Sequence, residues 1–419
     1  MARCRTSVIA IVTVGLLGIA GCSAGAVGAS GSSGSAGSSQ GGSTTGTSSG
    51  STGATASSSS TGSSSGAGTA SGSSGSGSGA SSSSGGSGGS GGMPAGWLYT
   101  QGNALHVSDG NGGGPRWMGR GVNVDDLFLC GYNYGLWMSD GEQSLTTMLD
   151  GLIADWKPSF VRLSLGMASY DPTVSWTDSA SGYTTSMTHV VNALGSHPGV
   201  YVLVSLRSDA SMVGHDTADG AEPTGLPSDA SSTPDATAFP TGTDATYVAL
   251  VDTFAHSSFV LFGLSNEPGG NTLSNSSIRS AMAHAVGVIR AEEDRLGVPH
   301  HIISVQGNGW TSDLSFYAQA PIAVDNVVYE LHGYPPDPSA YTSSTLPIII
   351  GEYGSLDSSS APGFYADVEA KQIPNLAWDF ESYSDCAPDL LEVNQSASNL
   401  APTAWGSIVQ GYLTAHATP

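Results

Sequence analysis

Two glutamates in this 419-residue chain close apolar runs of strand length. Phe259 to Leu264 is followed by Ser265-Asn266-Glu267-Pro268, and proline can neither extend a helix nor donate to a ladder, so Glu267 falls where a strand gives way to a loop. Leu346-Pro347-Ile348-Ile349-Ile350-Gly351-Glu352-Tyr353-Gly354 has the same form, a β-branched run ending in one carboxylate. A lone glutamate at a strand end is ordinarily solvated or paired with a local arginine. Two of them, far apart in sequence, are what a parallel barrel gathers at one mouth. Paired carboxylates in one cleft are the equipment for cleaving a glycosidic bond, one giving a proton and the other attacking or activating water.

The elements needed to hold them are legible as alternating strands and helices, the pattern of parallel βα units. Strands are expected at Trp117 to Val122, Phe160 to Leu165, Val200 to Leu206, Phe259 to Leu264, His301 to Val305, Val327 to Leu331, Ile348 to Ile350 and Leu376 to Trp378. Helices are expected at Gln143 to Trp156, Thr185 to Leu194, Thr243 to His256, Ser276 to Leu296 and Ala404 to Leu413, the first with Leu145, Met148, Leu149, Leu152 and Ile153 at helical spacing. Gly297 stops the fourth of these helices. A hairpin from Leu98 to Val107 would plug the base of the barrel, and the long polar stretch from Arg207 to about Gly242 reads as a functional loop. The fold class is therefore α/β, a single (β/α)8 barrel over residues 93–419 with a short N-terminal hairpin.

Taken in order on their strand ends, several of these residues resemble the family-five glycoside hydrolases, the cellulase family of the retaining barrel clan. The likeness runs from Arg116 to Tyr412 and rests on Arg162 on strand two, Asn266-Glu267-Pro268 after strand four, His332 and Tyr334 after strand six, Glu352 after strand seven and Trp378 at strand eight. The resemblance implies Glu267 as general acid/base and Glu352 as nucleophile. It further implies that Arg162 and Tyr334 keep Glu352 ionised, that Asn266 holds the sugar 2-hydroxyl, and that His332 lines the cleft beside Glu267. Trp378, and with it Trp310, would offer flat faces to pyranose rings. One position departs from the family pattern. Where many members carry a histidine after strand three, this chain has Arg207, which would either bring a permanent charge to the substrate cleft or pair with Asp209 as a structural residue. Among the other tryptophans, Trp117, Trp156 and Trp405 are expected in the core, and Trp137 and Trp176 as cleft walls. His215 and Asp216 are read as solvated.

Before residue 93 the composition belongs to no folded domain. Residues 1–22 read as a lipoprotein-type signal: Arg3 and Arg5, an apolar run from Val8 to Leu17, and Ile19-Ala20-Gly21-Cys22, with Cys22 the expected lipidation site; cleavage at a small-residue site and free secretion is the alternative. Residues 23–92 are almost wholly Gly, Ser, Ala and Thr and cannot bury a core. As a flexible coil they would span about 45 Å. The expected location is extracytoplasmic, at the cell surface or outer membrane through the lipid anchor, or secreted.

The chain carries 34 acidic side chains against 11 lysines and arginines, and loss of Arg3 and Arg5 with the signal would leave a net charge of −25. Nucleic acid and anionic membrane surfaces are poor partners for such a charge. Beyond Cys4 and Cys22 the cysteines are Cys130 after strand one and Cys386 after strand eight. Strands one and eight are neighbours in a closed barrel, so a disulfide is expected there, stabilising by about 2–4 kcal/mol if the Cα atoms approach within about 7 Å. There is no C-x-x-C, no H-E-x-x-H and no run of alternating aspartates, so neither metal nor cofactor is expected. No G-x-S-x-G occupies a strand-to-helix turn either, which argues against a serine hydrolase. The expected function is a retaining, endo-acting β-glycosidase, a monomer working on a β-linked glucan or mannan. The alternative is a tethered polysaccharide-binding barrel without turnover.

Overall fold

The structure, a computed structural model, describes residues 93–125, 132–166, 173–178, 182–212, 241–268, 273–334, 345–381, 388–392 and 396–417. The signal, the linker, Cys22, Cys130, Cys386, His215 and Asp216 lie outside the described residues, as does the side chain of Trp137.

Eight parallel strands close on themselves. Their order around the barrel is β3 (Arg120–Asp125), β4 (Phe160–Leu165), β5 (Tyr201–Leu206), β6 (Val260–Gly263), β7 (Ile303–Gln306), β8 (Val327–Gly333), β9 (Ile348–Tyr353) and β10 (Asn375–Ala377), which pairs back onto β3. Helices α1 (Tyr132–Gly151), α2 (Tyr183–Gly195), α3 (Thr241–Phe254), α4 (Asn275–Leu296), α5 (Ser315–Gln319), α6 (Ala361–Lys371) and α7 (Ala404–Ala415) alternate with them. Helix α4 starts where Ser274 accepts from the Ser277 amide and stops at Gly297 in the left-handed region. No helix among the described residues is long and apolar enough to cross a membrane.

Strand parity sorts the side chains. Val122, Val124, Val161, Leu163, Val202, Val204, Val260, Phe262, Ile303, Val305, Tyr329 and Leu331 point outward into the apolar layer beneath the helices. The opposite parity fills the barrel, and it changes character along the axis. Phe160, Leu203, Leu261, Ile302, Val328, Ile349 and Leu376 form one apolar cluster with Leu98, Leu105 and Trp117. The hairpin β1 (Leu98–Gln101) and β2 (Ala104–Val107) thus stops the amino-terminal end of the barrel, where the sequence places it. One inward position further along, five of the eight strands turn polar: Asn123, Arg162, Ser205, Ser304 and Glu330 are fully buried. The barrel is apolar at its base and polar and charged at its mouth.

Strand one differs from the sequence expectation. It begins at Arg120, three residues beyond Trp117, and runs to Asp125. Trp117 instead turns edge-on to Phe160 and Tyr201 in the basal plug. Asn123 and Asp125 look like the end of a strand because they break the apolar run, yet they are its inward, mouth-side residues. Trp176 is also not a cleft wall: it is buried against Tyr183 and Phe254.

Candidate active site

Arg162 is the hub of the mouth. Its guanidinium, fully buried, donates from Nη1 to Glu352 Oε1 at 2.6 Å and to Asn123 Oδ1 at 2.9 Å, and from Nη2 to Asn266 Oδ1 at 2.8 Å. Its Nε lies 3.2 Å from Glu330 Oε1. The fixed fork of an arginine holds these acceptors in one plane, which a lysine could not do. Tyr334, although 41% exposed, turns its hydroxyl inward to donate to Glu352 Oε2 at 3.0 Å. Both oxygens of Glu352 are thereby held.

His332 stands between the carboxylates. Nδ1 is 2.9 Å from Glu267 Oε1 and 3.5 Å from Glu352 Oε1, while Nε2 is 2.9 Å from Glu330 Oε1. Burial works against its charge, but Glu352, Glu267 and Glu330 overcome it and push the imidazole up to about 9. Glu330 is lowered to about 2: burial opposes ionisation, and Arg162, His332 and a 2.6 Å bond from Ser304 Oγ outweigh it.

The two strand-end glutamates meet. One oxygen of Glu267 and one of Glu352 lie within 4.8 Å of each other. Their surroundings push them apart in acidity. Burial, joined by the charge of Glu352, raises Glu267 above the usual carboxylate value although His332 and Arg207 pull the other way. Burial of Glu352 is outweighed by His332, Arg162 and Arg207, which hold it below that value. Glu267 sits at φ 44°, in the left-handed region, with its amide donating to Gln306 Oε1 at 2.6 Å. Backbone strain of this kind persists where surrounding bonds enforce it.

Glu352 reaches this group through an irregularity in β9. Leu331 pairs with Ile350 but His332 pairs with Glu352, and on the other side Asn375 pairs with Ile350 but Ala377 with Tyr353. One extra residue, Gly351, is inserted against both neighbours, so Glu352 turns to the same side as Ile349. No side chain fits there: a Cβ on Gly351 would lie 2.1 Å from Glu330 Oε1.

The remaining expected residues are placed as follows. Arg207 does not pair with Asp209, which instead accepts from the Trp176 and Ser211 amides and the Ser175 and Thr246 hydroxyls. Arg207 Nη1 lies 3.6 Å from Asp125 Oδ1, and the guanidinium stands 5.1 Å from the ring centroid of Trp378. Trp378 is buried, with one face covered by Arg207 and its carbonyl accepting from Trp405 Nε1 at 3.0 Å. Trp310, 40% exposed, projects from the turn after β7, where Gly309 and Trp310 both have positive φ. Asn266 spends Oδ1 on Arg162 and keeps its amide N–H groups as donors.

Sequence reasoning overlooked Glu330, Gln306 and Asn123. The signal was available: each is a polar residue at inward parity inside an apolar strand. Among the described residues, two clusters have the donor atoms to surround a metal, Glu267 with His332 and Glu352, and Asp125 with Asp379 and Glu381. In the first, both nitrogens of a histidine raised to about 9 face carboxylates, so it is an imidazolium with no lone pair to give.

A closed parallel barrel carrying two facing carboxylates of opposed acidity at its carboxyl-terminal mouth defines the barrel glycoside hydrolase class. Within that class, residues 119–384 match the model of the family described as Cellulase (glycosyl hydrolase family 5), and the chain belongs to that family. An endoglucanase of Clostridium saccharobutylicum is 26% identical over 142 residues, a match spanning 31% of this chain and 31% of that relative's own length. Among solved structures, a β-glucanase from Saccharophagus degradans in complex with cellotetraose superposes with TM-score 0.58 at 16% identity, covering 77% of this chain and 94% of the other. A β-mannanase from Streptomyces thermolilacinus with mannohexaose gives 0.52 at 18% identity, covering 77% and 96%. At such identities these likenesses speak for the fold.

Proposed function

We propose that this protein is a retaining β-glycosidase cleaving internal bonds of a β-linked glucan or mannan. The observation that carries the reading is the spacing of Glu267 and Glu352, with oxygens within 4.8 Å. Retaining enzymes hold their carboxyl groups about 5–5.5 Å apart, whereas inverting ones leave about 6.5–9.5 Å for a water. The opposed acidities support the division of labour. Glu267, raised, keeps a proton to give to the leaving oxygen; Glu352, lowered and held by Arg162 and Tyr334, stays ionised to attack the anomeric carbon. The glycosyl–Glu352 ester is then opened by a water that Glu267, now ionised, deprotonates. Asn266, anchored on Arg162, has amide donors for the 2-hydroxyl of the bound sugar. Trp310 and Tyr334 offer exposed aromatic faces to neighbouring sugars.

The substrate class is supported by the relatives, an endoglucanase, a β-glucanase in complex with cellotetraose and a β-mannanase with mannohexaose. Export by the N-terminal signal, anchoring at Cys22 and the 23–92 tether would place the enzyme outside the cytoplasm, on its polymeric substrate.

The test is a panel of β-glucans, xylan, mannan and aryl glycosides, with anomer-resolved NMR of the first product. Retention of the β-anomer and a loss of at least ~10³-fold in Glu352→Gln, about 4 kcal/mol of barrier, are expected. An α-anomer as first product, activity within tenfold of the parent in Glu352→Gln, or polysaccharide binding without reducing-sugar release would overturn the proposal.

A further inference from the structure

A second group of carboxylates lies between the first and last strands, apart from the Glu267–Glu352 pair. Asp125 ends β3, and Asp379 and Glu381 follow β10; all three are fully buried. One oxygen from each falls within 4.8 Å of the others. The Arg207 guanidinium faces Asp125 at 3.6 Å, so the three carboxyl groups outnumber the one guanidinium beside them. Among the described residues neither oxygen of Asp379 has a hydrogen-bond partner, and both are buried. Buried carboxylates at this density are tolerated only when a proton or a cation neutralises them.

The backbone supports a fixed ligand set. The Phe380 amide donates to the Asn123 carbonyl at 2.8 Å, Leu390 to Asp379 at 2.9 Å and Leu391 to Glu381 at 3.1 Å, so the carboxylates sit on braced chain. Two oxygens opposed across calcium, with bonds of about 2.4 Å, are about 4.8 Å apart. Three oxygens no farther apart than this are close enough to share such an ion, and a donor set made only of carboxylates selects hard cations over zinc or copper.

We propose that Asp125, Asp379 and Glu381 bind one divalent hard cation of calcium size, tying the end of β3 to the segment after β10. That segment begins at Trp378, so the ion would brace the tryptophan and the Arg207 guanidinium lying over it. Binding needs neither substrate nor turnover and is measured in the absence of both.

The experiment uses the full chain, stripped with a chelator and titrated with CaCl₂, MgCl₂ and MnCl₂ by calorimetry and thermal melting. Concentrations run to about 10 mM, tenfold above the weakest range of extracellular calcium sites. One saturable site with a rise in Tm of roughly 5 °C is expected with calcium. Asp379→Asn and Glu381→Gln each abolish the response, the second serving if the first fails to fold. Glu352→Gln retains it, because the ion does not touch that carboxylate. No saturable response in the parent, an undiminished response in both triad variants, or loss of the response in Glu352→Gln would overturn the proposal. A parent without response whose Asp379→Asn variant is the more stable at pH 7 would overturn it in favour of a bound proton.

Discussion

Replacing Glu330 by glutamine keeps the shape of the side chain and removes the buried charge that faces both Arg162 and His332. The lowering of Glu330 from 4.5 to about 2 corresponds to about 3 kcal/mol in favour of the ionised form in the folded state. Because the folded value is depressed, that contribution is present above about 4.5 and disappears as the pH falls through about 2. Part of it also depends on the imidazolium. His332 is raised from 6.5 to about 9, so its pairing is fully present below 6.5 and is lost as the pH rises through about 9. The two figures describe one shared ion pair in part and do not add. Glu330→Gln should cost about 3 kcal/mol at pH 7, within the range for breaking a buried pair, and lower Tm by roughly 5–10 °C. Denaturant unfolding of parent and variant at pH 5, 7 and 9.5 measures this. The deficit should be level between pH 5 and 7 and smaller at 9.5, where the parent has lost the imidazolium too. A deficit below about 1 kcal/mol, or one equally large at pH 9.5, would refute the assignment of His332 as a charged partner.

The proposed mechanism requires Glu267 protonated and Glu352 ionised, so kcat/KM should rise on the acid side through a value below the usual carboxylate pKa of about 4.3 and fall on the alkaline side through one above it. In Glu267→Ala with an activated aryl leaving group only the alkaline limb should vanish, and a limb that persists would assign it elsewhere. Trp310→Ala should raise KM for polymer by about 2–10-fold, the value of one aromatic stacking contact, with kcat unchanged. An equal loss on a short aryl glycoside would show that the ring acts at the reacting sugar rather than on the chain beyond it.

How far the sequence could be read depended on which layer of the barrel a residue serves. The outward valines, leucines and isoleucines and the basal plug are apolar for one reason, burial, and their pattern announces strands, hairpin and barrel alike. Glu267 and Glu352 stood out because each ends such a run. The mouth layer obeys a second rule that hides it. Glu330 sits inside Val327–Gly333 and Asn123 and Asp125 inside Arg120–Asp125, where a polar residue reads as the end of a strand although it is the strand's inward face. Strand one was therefore expected three residues early. Arg207 shows the other limit: local sequence offered Asp209 as its partner, whereas the closed barrel supplies Asp125 from the end of strand one, 82 positions away. Trp176 likewise lies in irregular chain whose polarity suggests solvent, and only the packing of Tyr183 and Phe254 makes it core.

The extra residue in β9 is absorbed without a change of facing. Counted in strict alternation from Ile350, Gly351 would take the inward place and Glu352 would turn to the helices; because Gly351 is taken up as a bulge, Glu352 stays in step with His332 and faces the lumen. A chain in which this residue took a regular place in the pleat could keep its hydrophobic layers and its closure while aiming Glu352 the wrong way. Retention of the architecture without the placement of Glu352 is thus one register step away, and relatives that fold alike but do not hydrolyse can be sought by the pairing of this strand as well as by the identity of its glutamate.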